Sequence, residues 1–334
     1  RVHRQGDTGE RELEGGWVLT DFLPMLEAMS ANRLSERLTR GNTGERLDMT
    51  LALADGTIIH MLGAFEDQTR ARGLLFRPER IDPEFDSIPV EAAFQPIIRL
   101  SDGLIAGFEA LARWRHPDGE LMSAGSLGAV DPQSVMRGLA HAMLDQAGKA
   151  LADWHARWPA LNLFVQVNLS GADLYRADIL ERVSGLSQSG LFPEGALRIE
   201  LTEQMALRDF DAGVAAAAAL QASGAGLVLD DFGTGYSSLA WLAAIPASGL
   251  KLDSQIIQMA GTERVDKILT SVAKMATDLG MTVTAEGVED LKQVQFLKEI
   301  GCDYVQGFAY AYPMEKAKAD RFLEKQISLF NLNA

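Results

Sequence analysis

Apolar and polar positions run on two different rhythms along this chain. From about residue 90 onward, short apolar runs are separated by longer amphipathic stretches. The runs are AAFQPIIRL, LIAGFEALARW, NLFVQVNLS, ALRIELTE, GLVLDDFG, GLKLD, TVTAEGVE and CDYVQGF. Each is short, apolar and bounded by turn or polar residues, as a buried strand is. Between most of them lie stretches with helical spacing, such as VMRGLAHAMLDQAGKALADWHARW and VDKILTSVAKMATDLG. Strands that alternate with helices predict a parallel α/β fold. Eight of them over roughly 240 residues predict a (β/α)8 barrel, the TIM-barrel architecture. Only Ser101-Asp102-Gly103 separates the first two runs, too little for a crossover helix. Those two should form a hairpin, which gives the barrel one antiparallel strand. The run Ala215 to Ala219 reads as plain helix.

Residues 1 to about 85 differ. RVHRQGDTGERELEGG is a charged lead-in. TDFLPMLEAMSANRLSERL has helical spacing, with Leu23, Leu26, Met29 and Leu34 along one face and Thr20 or Asp21 as the cap. RLDMTLALADGTIIHMLGAFEDQT alternates around Asp55-Gly56, a hairpin signal. RPERIDPEFDSIP, with three prolines, reads as a linker. The pattern thus divides the chain into a small α+β segment, 1–85, and a barrel domain, 90–330. A helix leading into a hairpin resembles the end of a PAS-type sensor module; a packing extension of the barrel fits it equally.

Composition narrows the chemistry. The 334 residues are 47% hydrophobic and 23% charged, with a net charge of -15. An acidic surface argues against long nucleic acid as a partner, which needs clustered Lys and Arg. The lone Cys302 excludes an internal disulfide and multi-cysteine zinc, so a reducing, cytoplasmic setting is expected. No apolar run reaches the roughly 18 residues of a membrane span, and no membrane contact is expected in this stretch. The chain begins at Arg1, so it reads as part of a longer protein, whose upstream portion could be membrane-linked.

Polar residues sit where the strands should end. Glu109, Asn168, Glu200, Asp230 with Asp231, Glu286 and Gln306 close their runs, and Lys251 lies within GLKLD. In a barrel such ends converge on one mouth, where the active sites of this fold lie. Five carboxylates in one cavity repel one another, and several would take up protons unless cations were bound. Oxygen-only ligation favours Mg²⁺ or Mn²⁺. None of His3, His60, His116, His141 and His155 falls at a strand end, so zinc and histidine acid–base chemistry are not expected. Adjacent strand residues face opposite sides; a sharp glycine turn would bring Asp230 and Asp231 to one place. One could bridge two ions while the other holds the second. Two ions about 4 Å apart would activate a water and stabilise the leaving oxygen of a phosphodiester. Lys251 would orient the water or neutralise developing charge. A single acid at a strand end is more often a helix cap. Capping does not call for Asn, Lys and Gln at the matching positions. Gly233-Thr234-Gly235 fits no P-loop spacing.

The same residues lie in motifs. FQPII, FEALARW, NLS, ELTE, DDFGTGYSSL, KLD, AEGVE and QGF occur in this order. The set resembles EAL domains, the bacterial signalling phosphodiesterases that cut cyclic di-GMP to linear pGpG, over about residues 90 to 330. The resemblance implies a modified barrel, a site for two Mg²⁺ or Mn²⁺ ions, Ca²⁺ as a bound inhibitor, and a homodimer through this domain. It assigns Glu109, Asn168, Glu200 and Asp230 to the first ion, and Asp230, Asp231 and Glu286 to the second. Lys251 would contact the attacking water; Asp253, Glu289 and Gln306 would complete the site; Glu203 would anchor the DDFGTGYSSL loop. Gln95, Glu109, Leu111, Arg113, Tyr312 and Pro313 would hold the substrate. Two stretches depart from the family. LMSAGSLGAVDPQSVMRGL lacks the usual FIPLAEE, and QGFAYAYPM replaces QGYLFSKPL. All the metal-ligand and lysine positions are kept, which favours an enzyme over the alternative, a receptor that binds cyclic di-GMP with little turnover. Residues 1 to 85 would then pass a signal into the dimer.

Overall fold

Val165, Val167, Ile199, Leu201, Leu227 and Leu229 are at most 1% exposed. They share one apolar core with Leu144, Leu151, Leu180 and Leu220 of the surrounding helices. Their neighbours in sequence, one residue on, face the other way, as strand alternation requires. This two-sided burial makes the runs largely apolar until a mouth residue is reached, with Gln166 and Arg198 as exceptions. The computed structural model describes residues 22–40, 46–54, 58–67, 70–76, 90–115, 121–123, 132–202, 210–233 and 239–331.

A 3₁₀ turn (Leu23–Met25) leads into α1 (Ala28–Arg40), β1 (Arg46–Ala52), β2 (Ile58–Asp67) and β3 (Arg70–Phe76). The larger unit begins with β4 (Val90–Arg99), β5 (Ile105–Arg115), β6 (Leu121–Ser123), α2 (Pro132–Arg157), β7 (Phe164–Asn168) and α3 (Ala177–Ser187). It continues through β8 (Leu197–Thr202), α4 (Phe210–Ala222), β9 (Gly226–Phe232), α5 (Leu239–Ala244), β10 (Gly249–Leu252), α6 (Ser254–Gln258) and α7 (Glu263–Asp278). It ends with β11 (Thr282–Ala285), α8 (Gln293–Glu299), β12 (Tyr304–Val305) and α9 (Lys316–Asn331).

The strand order β4-β12-β11-β10-β9-β8-β7-β5 closes through a β4–β5 pairing into an eight-stranded barrel. β4 is antiparallel to both neighbours and the other pairs are parallel, as the short Ser101–Gly103 connection predicted. β6 adds to β5 outside the barrel, pairing Arg113 with Ser123. That short strand was not expected, because it falls in the Gly- and Ser-rich stretch that departs from the family. One end of the barrel is plugged by Phe164, Ile97 and Ala106 with Tyr304, and the Arg198 guanidinium lies 3.5 Å from the Phe164 ring centre. No helix among the described residues is long and apolar enough to cross a membrane.

The N-terminal strands form an antiparallel sheet, β1-β2-β3, with an apolar core of its own around Leu34, Leu51 and Ile59. Ala52 pairs with Ile58 across the expected hairpin turn. Asp55-Gly56, the caps Thr20 and Asp21, and the linker lie outside the described residues. Two expectations need correction. The helix begins only at Ala28, because Leu26 is extended and bridges to Leu53. This resets the helical phase, so Met29 is 66% exposed while Ser30 is buried and accepts the Ala52 N–H at 2.9 Å. A third strand, β3, completes the sheet where only a hairpin was read.

Candidate active site

Lys251 is 1% exposed, and its Nζ is the hub of the barrel mouth. It lies 2.6 Å from Glu286, 2.7 Å from Glu200, 3.2 Å from Asp230 and 3.6 Å from Glu109. Each of the five comes from a different strand or strand end, so the parallel register assembles the cluster: Asn168 pairs with Glu200, and Thr202 with Asp230. Glu109 is not a strand terminus as expected; β5 runs on to Arg115 as part of the ribbon with β4 and β6. It still faces the mouth, level with Gln166.

Burial works against every charge here, and the outcome depends on the partners. For Lys251 burial favours the neutral amine, but Glu109, Glu200, Glu286 and Asp230 outweigh it and hold the ammonium well above its ordinary value. Glu109 is pulled up by burial and down by the Lys251 charge and two amide donors. Gln306 Nε2 donates to it at 2.6 Å and Asn168 Nδ2 at 2.8 Å, and it ends below the usual range. Glu200 is 0% exposed; burial first, and the Glu109 charge next, push it far up. Burial also pushes Glu286 up to about 8.

The adjacent aspartates converge by a route other than the expected glycine turn. Asp231 itself adopts a left-handed backbone, φ 57°, which aspartate tolerates better than most side chains. Its N–H bonds back to Asp230 Oδ1 at 3.0 Å. Carboxylate oxygens of Asp230, Asp231 and Glu286 then lie within 4.8 Å of one another.

A cavity of about 300 Å³ opens above the cluster. Gln95, Glu109, Leu111, Asp230, Lys251, Glu286, Glu289 and Gln306 line it. Ser254, Gln258 and Phe308 also line it and were missed. Ser254 and Gln258 are four apart on α6, one helical face, so the KLD motif followed by a helix start could have flagged them. Asp253 does not reach the cavity lining: its Oδ1 caps α6 by accepting the Gln255 N–H at 2.7 Å. Arg113 lies outside the lining too, with Nη1 donating to the Ala112 carbonyl at 2.9 Å. Tyr312 stacks on Phe308 with ring centres 4.3 Å apart, and Pro313 is half-buried beside it. Glu203 and residues 234–238 of the DDFGTGYSSL loop lie outside the described residues.

The donor set fits hard divalent cations. Both Glu200 oxygens are buried without a hydrogen-bond partner, and the Lys251 ammonium lies 2.7 Å from one of them as an ion pair. One ammonium faces more carboxylates than it can neutralise, and every anionic donor is oxygen.

A closed barrel with acids and a lysine at its mouth places a charged, buried site where the active sites of this fold lie. The EAL domain profile matches residues 83–313, and the chain belongs to that family. The cyclic di-GMP phosphodiesterase NbdA of Pseudomonas aeruginosa is 35% identical over 70% of this chain and 30% of its own length. An uncharacterized Mycobacterium tuberculosis protein is 35% identical over 66% of this chain and 75% of its own length. The chain spans about a third of the length of the first relatives it matches. A solved PaMucR phosphodiesterase, in complex with c-di-GMP, superposes with a TM-score of 0.64 at 32% identity, over 69% of this chain and 94% of that one. Klebsiella pneumoniae BlrP1, with calcium and cyclic di-GMP, gives 0.58 at 27% identity, over 73% and 59%.

Proposed function

We propose that this chain hydrolyses cyclic di-GMP to linear pGpG with two divalent ions, Mg²⁺ or Mn²⁺. The observation that carries the reading is the buried, hydrogen-bond-free Glu200 among the other acids and Lys251 at an EAL barrel mouth. Glu109, Asn168, Glu200 and Asp230 would hold one ion, and Asp230, Asp231 and Glu286 the other. Bound there, the ions would lower the pKa of a water and neutralise charge on the scissile phosphate. Water adds to phosphorus as one P–O3′ bond breaks, leaving a 5′-phosphate and a 3′-hydroxyl.

The chain's own groups position this reaction. Gln306 and Asn168 fix both oxygens of Glu109. Lys251 offers its charge to the attacking water and to the developing phosphate charge. Gln95 and Leu111 line the substrate cavity, and Phe308 with Tyr312 offers a stacked face for a purine. Arg113 would leave its own backbone to reach a phosphate. Asp253 and Glu289 support the site from its rim, and Glu203 anchors the adjoining loop. Ca²⁺, larger and less demanding in geometry, would bind and inhibit. The setting is the bacterial cytoplasm. Residues 1–85 would be the N-terminal segment, and 90–330 the phosphodiesterase. Two copies would pair through the apolar groove between α5 and α7, lined by Leu242, Met275 and Leu279.

The test compares the wild-type chain with Glu109→Ala, monitoring product by chromatography and binding by calorimetry. Expected is wild-type turnover that falls at least 100-fold in the variant. A wild type that binds cyclic di-GMP but leaves it intact would make the chain a receptor and overturn the reading.

A further inference from the structure

Helix α4 is the unusual member of the barrel's outer layer. Ala212, Gly213, Val214, Ala215, Ala216, Ala217, Ala219 and Leu220 are all buried, while Asp211 and Gln221 are exposed. At 3.6 residues per turn, the buried positions cover roughly three quarters of the circumference. A helix with only the barrel behind it buries one stripe and keeps a polar outer face. The amphipathic helix α7 does so, with Leu269, Ala273 and Ala276 buried and charged residues outside. The second partner of α4 is the N-terminal sheet: β2 and β3 pack against it with Cα atoms within 8 Å. Small side chains permit that approach and leave little slack in it.

The same helix is tied to three of the strands that bear candidate ligands. It joins β8, which carries Glu200, to β9, which carries Asp230. A Cβ on Gly213 would lie 2.6 Å from the Trp241 ring, and Phe210 packs edge-on against that ring at 5.8 Å. Trp241 belongs to α5, the first helix after Asp230-Asp231. The same Cβ would lie 3.7 Å from the Tyr175 hydroxyl, in the 3₁₀ turn just beyond Asn168 and β7.

We infer that the N-terminal sheet is a control surface for the barrel mouth. Docked on α4, it holds the β8 and β9 ends at the spacing that lets Glu200 and Asp230 share a cation; undocked, it releases them. Close-packed elements shift as units, so a change at the sheet reaches the site as a small displacement of α4. The inference rests on the metal-binding part of the proposed function, and not on turnover.

The test uses the full chain carrying Leu51→Asp, a charge in the N-terminal core that leaves the barrel's own core unaltered. Amide exchange of α4 and Mn²⁺ affinity are read together, with exchange of α2 as the control for an intact barrel. Expected are faster exchange across α4, a weakening of Mn²⁺ binding by about fivefold or more, and α2 unchanged. Loss of protection in β1 to β3, with α4 exchange and Mn²⁺ affinity as in wild type, would overturn the inference. Leu51→Ala, which leaves a cavity without a charge, is read by the same criteria if Leu51→Asp disturbs α2. A chain that binds Mn²⁺ yet leaves cyclic di-GMP intact would contradict the proposed turnover and leave this inference standing.

Discussion

At the scale of single residues, charge and burial decide what each group does. Glu109 and Glu200 are both buried glutamates beside one lysine, yet they are pushed in opposite directions. Glu109 accepts from two amides, while Glu200 has none. The sequence shows that both sit at a barrel mouth; it does not show which amide reaches which acid. Asp231 likewise stands out as an odd second charge, but its left-handed backbone is a property of the fold. Outside the mouth, Asp178 is a strongly perturbed acid. Burial would raise it, but hydrogen bonds from His141 at 2.6 Å and from Arg176, with their charges, hold it well below the usual carboxylate range. A depressed folded value adds stability above the unfolded value, near 4, and loses it as pH falls below that. Asp178→Asn should therefore cost about 1–2 kcal/mol at neutral pH, discounted for partial solvent screening. The gap to wild type should narrow as pH drops from about 5 towards 2. Urea midpoints at several pH values check this, and a gap that stays constant would contradict it.

At the scale of elements, strand positions were legible because each barrel strand is buried on both faces and ends at a polar residue. All eight runs became strands of one barrel. What sequence did not show was pairing beyond the run itself. β6 holds because β5 overshoots Glu109 and offers an open edge, and β3 holds because β2 keeps a second edge opposite β1. The late start of α1 was set by the Leu26–Leu53 bridge, a tertiary contact that overrode helical spacing. Loop tightness is another property of elements in contact. After β12, a Cβ on Gly307 would run into the backbone nitrogen, carbon and oxygen of Val288. Gly307→Ala must push apart the segments just beyond β11 and β12. It should destabilise the fold by about 2–3 kcal/mol. It should also lower turnover, because Gln306 next to it holds Glu109. Thermal melts with turnover measured on the same sample are the check, and wild-type values in both would show that the contact relaxes freely.

At the scale of the whole molecule, the family was legible from motif order, and the fold and relatives agree with it. The relation between the two units was not legible. The Ala215 to Ala219 run read as plain helix, and only the structure shows a sheet on its outer side. Association is a further property of the whole. Leu279 is 51% exposed at the edge of an apolar groove. If copies pair there, Leu279→Glu should shift sedimentation from dimer to monomer while the barrel's circular dichroism is kept; a wild-type monomer at all concentrations would contradict the pairing. The central claim is that the acids around Lys251 hydrolyse cyclic di-GMP only with divalent ions in place. The most direct measurement incubates the purified chain with cyclic di-GMP and Mn²⁺ or Mg²⁺, beside EDTA and Ca²⁺ controls, and separates the nucleotides. The account predicts linear pGpG with Mn²⁺ or Mg²⁺ and intact cyclic di-GMP in both controls. Equal product with EDTA, or no product under any condition, would contradict it.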